Sequence, residues 1–214
     1  MNRLLNIKSL YYLILITGLY AVISLIYNHV FMTETYFSQW YEGVFTQTQI
    51  QNSLSVFKKW EWAIVLLNVL LIIIKITCVA TCLYLGLFFF SNQNHTYIIS
   101  FNIALKSEIV FVAYYIVRLL WFIFIRVPES MEDMQVAPLS IMHFFDINFI
   151  EPWLLYPLNT LNLFEVLYFW MLSALMAVAI QVKFRKAFEI VFISYGAGLL
   201  LLMVAQMFLI LNNS

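Results

Sequence analysis

Four ionisable side chains stand inside long apolar stretches of this sequence: Lys75, Glu108, Arg118 and Glu165. An ionised group in hydrocarbon costs a few kcal/mol unless it finds a counter-charge or faces a water-filled cavity. Each of the four therefore demands a partner. Measured from the turn near Gln93, Lys75 lies about 28 Å along its stretch and Glu108 about 22 Å along the next, at a rise of about 1.5 Å per residue. A lysine stem covers the remaining turn. Arg118 lies about two turns below the far end of its stretch, and Glu165 about one turn into the stretch that follows. The spacing predicts the pairs Lys75–Glu108 and Arg118–Glu165.

Two chemistries would use such pairs. They could fix helix register in a medium where apolar surface gives helices no preference for one another, and the balance of two cations against two carboxylates favours this reading. They could instead line a polar path for a solute or protons. Asn68, Lys75, Cys78 and Cys82 share one helical stripe at intervals of 7, 3 and 4. Glu108 and Tyr115 share a face of the next stretch, with Arg118 within about 80° at 100° per residue. Together these residues predict a polar groove.

Other reactive groups carry less. Cys78 and Cys82, four apart on one helix, make a strained disulfide and lack the further ligands of a metal site, so they read as inert thiols. ESMED (Glu129 to Asp133), with His143 and Asp146, reads as a solvated acidic surface, because it has neither calcium-loop nor zinc-motif spacing. Asn94-His95-Thr96 fits a glycosylation pattern, but the orientation derived below puts it in the cytoplasm, where it is chance. There is no nucleophile elbow and no glycine-rich phosphate loop. No catalytic residue, metal or cofactor is expected, and the chain is not read as an enzyme.

The elements that must hold these groups follow from composition. Of 214 residues, 64% are hydrophobic and only 11 basic and 11 acidic residues carry charge, against about 25% charged in a soluble domain. Membrane lipid must be the solvent. A net charge of zero excludes the basic footprint of a nucleic-acid binder, and an aromatic share of 18% excludes disorder. At about 20 apolar residues per crossing, the chain divides into five transmembrane helices at about 9–31, 62–90, 97–125, 161–180 and 190–211. The fold class is an all-α polytopic membrane helix bundle, one domain over 1–214, with outer loops 32–61 and 126–160. The second loop holds all four prolines, Pro128, Pro138, Pro152 and Pro157, and is expected to be the one non-helical region. The first span reads as an uncleaved signal anchor.

Lysines and arginines near span ends set the orientation. With the N-terminus inside, Arg3, Lys8, Lys106, Lys183, Arg185 and Lys186 face the cytoplasm, against Lys58, Lys59 and Arg126 outside. The C-terminus is then outside, and Trp40, Trp60, Trp62, Trp121 and Trp153 fall near outer boundaries. In the last span Ser194 and Gly198, spaced by four, are small enough for close helix contact and raise a homo-oligomer through that face. Other membrane proteins are expected partners.

From the second span onward the layout resembles the Yip-domain family of small five-span membrane proteins. The resemblance is carried by the tight second-to-third hairpin, by the proline-containing outer loop, and by LNTLNLFEVLYFWMLSALMAVAI (Leu158 to Ile180) leading through KFRK to a last span. It implies a cytoplasmic N-terminus, a C-terminus outside, a bacterial inner-membrane location and a non-enzymatic adaptor or scaffold role in membrane organisation, trafficking or export. The eight-residue tail before the first span departs from the longer cytoplasmic region of eukaryotic members, so their contact with Rab-type GTPases is not carried over. The alternative function is a transporter or permease subunit that uses the polar groove.

Overall fold

A computed structural model describes residues 2–41, 45–91, 95–130, 133–145 and 150–213. Eight α-helices account for nearly all of it: α1 (Asn2–Phe31), α2 (Glu34–Trp40), α3 (Gln47–Phe90), α4 (Tyr97–Ser107), α5 (Ile109–Phe124), α6 (Pro152–Thr160), α7 (Leu163–Ile180) and α8 (Phe184–Asn213). Among the described residues no strand forms, apart from one antiparallel bridge between Ser140 and Asn162. Five segments are long and apolar enough to cross a membrane: Ser9–Phe31, Gln47–Phe90, Tyr97–Phe124, Leu163–Ile180 and Phe184–Asn212. The arrangement is that of a multi-pass membrane protein.

Leu66, Leu67, Leu70 and Ile74 of α3 all face outward, so apolar side chains surround the helix and amphipathic patterning is lost, as expected where lipid rather than water bathes the surface. Polar groups within the spans then depend on partners from the chain itself. Thr17, Thr77, Thr81, Ser173 and Ser194 accordingly turn their hydroxyls back onto carbonyls four residues earlier, at 2.7–2.8 Å.

Helices α3, α4, α7 and α8 enclose the main core, built around Leu83, Leu87, Tyr168, Leu172, Met176 and Val191. Helix α1 leans on the outside of this group, where Ile16, Tyr20 and Ile23 meet Val112 of α5. The close approach of α3 and α8 depends on small residues. A Cβ on Gly86 would lie 2.6 Å from Ser194 Cβ, and one on Gly198 would lie 2.7 Å from Cys82 Sγ. Ser194 and Gly198 therefore serve a contact inside one chain. The face that they present is occupied by α3.

Other expectations also change. Helix α3 begins fifteen residues before Trp62, at Gln47, where Thr46 and Gln49 form a reciprocal capping box. The 32–61 segment is thus largely helical. The 126–160 segment is not uniformly irregular either: it contains 3-10 turns at Asp133–Gln135 and Ile141–Phe144 and the helix α6. Pro152 opens α6, where a missing amide costs nothing, while Pro157 lies inside it. Gln181 ends α7 in the left-handed region at φ 56°, and α8 starts at Phe184. The third span is interrupted at one residue, Glu108, whose carbonyl accepts from both Phe111 and Val112 amides at 3.0 Å. That three-residue closure marks a local tightening of the helix.

Candidate functional site

The interruption at Glu108 sits at the centre of a buried charge cluster. Glu108 is 0% exposed, and Lys75 Nζ approaches its Oε1 at 2.9 Å and its Oε2 at 3.1 Å. Tyr20 of α1 donates to Oε2 at 3.3 Å. The ammonium also rests 3.2 Å from the centroid of Phe111 and 5.3 Å from that of Tyr168. Aromatic faces of this kind stabilise a desolvated cation, so the lysine is held by a carboxylate on one side and rings on the others. These contacts join α1, α3, α5 and α7.

Above the cluster, α1, α3 and α5 part to leave a cavity of about 420 Å³. Lys75 and Tyr20 line its floor, with Asn68, Tyr115 and Arg118 on the wall. Asn68 Nδ2 donates to Ser24 Oγ of α1 at 3.2 Å. The ring of Tyr115 meets that of Tyr20 edge-on at 5.4 Å. Apolar side chains, Ile23, Leu71 and Ile72, complete the lining. The volume falls in the range of about 300–1,000 Å³ typical of small-molecule sites.

Arg118 and Glu165 are not partners. Arg118 is turned toward α1, its guanidinium 5.9 Å from the Tyr27 ring and 5.7 Å from the Phe122 ring, and it donates through Nη2 to the carbonyl of Met134. Glu165 faces the other way. Its Oε1 accepts from Tyr195 Oη of α8 at 2.6 Å, and its amide is capped by Asn162 Oδ1 at 2.9 Å. The two side chains thus find partners on different helices, Arg118 beside α1 and Glu165 on α8. Arg118 thus has no carboxylate counter-charge among the described residues.

Of the other sequence-derived residues, Cys78 is exposed on the bundle surface and Cys82 packs on Gly198, so the stripe below Lys75 leaves the cavity and serves α8. Asp133 is held in a turn by Arg126 at 2.9 Å and accepts from the amides of Glu129 and Ser130 at 3.2 Å. Asn94, Glu132, Asp146 and the side chain of His143 lie outside the described residues.

The contribution of α1 was missed. Tyr20, Ser24, Tyr27 and Asn28 all line the cavity, and their spacing of 4, 3 and 1 places them on one helical face. That polar stripe was present in the sequence, hidden in a span that holds no charge. Comparison of the chain with protein-family models, with curated proteins and with solved structures gave no match.

Proposed function

We propose that this chain binds a small solute in the cavity between α1, α3 and α5 and works as a transporter or permease subunit, with its N-terminus inside and the cavity opening toward the outer face. One observation supports the reading above others: Asn68, Lys75, Tyr115 and Arg118, from two different spans, gather with Tyr20 and Ser24 around a single cleft of about 420 Å³. Polar groups at this depth are expensive in lipid and are retained where something polar is handled. A fixed ion pair at the floor and adaptable hydroxyl and amide groups on the wall suit recognition of a solute. The adaptor role implied by the Yip-like layout gives such a cavity nothing to do.

The test is flux through the protein alone. Proteoliposomes challenged with neutral, cationic and anionic small solutes should recover volume faster than empty vesicles for at least one class, followed by light scattering. Ser24→Trp, which fills the cavity from α1, should abolish the difference. Equal rates with and without protein for every class would reject the proposal.

A further inference from the structure

Charge and unsatisfied donors within the cavity point to the chemical class of its occupant. Lys75 is neutralised at the floor by Glu108. Arg118, on the wall, meets a backbone carbonyl, the hydroxyl of Tyr114 and two aromatic rings but no carboxylate among the described residues. Its Nε is buried without a hydrogen-bond partner, and so is Nδ2 of Asn28, a residue only 8% exposed. Both residues line the same cavity. A buried donor without an acceptor is costly, and such groups in native proteins signal an acceptor that the chain itself does not supply.

We infer that the cavity is a site for a singly charged oxyanion carried on an apolar body, with Arg118 and Asn28 supplying the charge and donors and Ile23, Leu71 and Ile72 the apolar wall. An oxyanion offers two or more lone pairs to neighbouring N–H donors, and the delocalised guanidinium suits that geometry. A single charge matches the one uncompensated cation. A dianion would leave one negative charge unpaired in the same low-dielectric space as Glu108. A carboxylate on a hydrocarbon chain and the phosphodiester of an anionic lipid headgroup both have this chemistry. The inference rests on the solute-binding reading of the cavity and narrows it.

The experiment uses the full chain in an uncharged detergent, with octanoate, octanamide and dihexanoylphosphatidylglycerol as probes and calorimetry as the readout. Octanoate should bind and octanamide, of equal chain length but uncharged, should not. Arg118→Gln should weaken octanoate binding about tenfold or more, the scale of one lost charge-assisted hydrogen bond. Arg118 also holds the Met134 carbonyl, so Asn28→Leu, whose side-chain nitrogen has no partner to lose, is the second variant and should weaken binding in the same sense without lowering folded yield. Displacement of octanoate by dihexanoylphosphatidylglycerol supports the site and assigns it to a lipid headgroup. Octanoate binding without displacement supports it and assigns a free carboxylate. Equal binding of octanamide, or unchanged octanoate affinity in both variants, overturns it.

Failure of this inference and failure of the transport proposal separate cleanly. Flux of a neutral solute, blocked by Ser24→Trp in vesicles with no octanoate binding, sinks only the oxyanion. Arginine-dependent octanoate binding without flux of any solute sinks only transport.

Discussion

Replacing Lys75 by methionine probes the buried charge cluster from its more sensitive side. The substitution leaves Glu108 fully enclosed, with Tyr20 at 3.3 Å as its hydrogen-bond donor. The opposite change, Glu108→Gln, leaves an ammonium that still lies 3.2 Å from the Phe111 centroid on a side chain 37% exposed at the cavity. Breaking a buried pair from one side costs about 3–5 kcal/mol. The enclosed carboxylate puts Lys75→Met at about 4 kcal/mol. The surviving ring contact, worth about 1–2 kcal/mol, brings Glu108→Gln down to about 2 kcal/mol. Removing both charges leaves a neutral amide beside a thioether, at a cost of about 1.5 kcal/mol. The two single changes should therefore couple by more than about 3 kcal/mol in a double-mutant cycle. Unfolding of the reconstituted protein by sodium dodecyl sulfate, followed by tryptophan fluorescence, measures all four corners. Additivity within about 0.5 kcal/mol, or a larger loss for Glu108→Gln than for Lys75→Met, would refute the reasoning.

Two further outcomes test the packing. Gly198→Ala drives a methyl into Cys82 Sγ and should cost about 1–3 kcal/mol; adding Cys82→Ala should recover most of it, while Gly18→Ala, which meets nothing within 4 Å, should be neutral or slightly stabilising in the same unfolding assay. Gln181→Gly relieves a left-handed residue at the end of α7 and should raise stability by about 1 kcal/mol, read as a higher midpoint of thermal unfolding.

Hydropathy alone made five crossings visible, because apolar runs of this length have no alternative use in so small a chain. Their ends were less legible. The stretch before Trp62 is polar enough to fall outside any hydropathy ruler, yet Thr46 and Gln49 form a helix start signal three residues apart, and α3 begins there. Axial height along a hairpin put Lys75 level with Glu108, and a flexible stem bridges the rest. The same measure failed for Arg118 and Glu165, since height says nothing about which way a side chain turns, and the carbonyl of Met134 that receives Arg118 belongs to a loop whose path no periodicity encodes. The stripe from Tyr20 to Asn28 carries no charge, so only its regular spacing distinguishes it within an apolar span.

Helix α3 runs for 44 residues without proline, and its one glycine, Gly86, lies near the far end. At a rise of about 1.5 Å per residue it is about 66 Å long, roughly twice the thickness of the bilayer interior. A mast of several turns, the polar Gln47 to Glu61 portion, stands clear of the hydrocarbon, with Trp60 and Trp62 stacked 6.2 Å apart at its foot. The same unbroken rod carries Asn68 and Lys75 below. Ile50 and Leu54 near its upper end pack on Phe37 of α2, so the short second helix and the turn bearing the ammonium are attached to one unbroken helix.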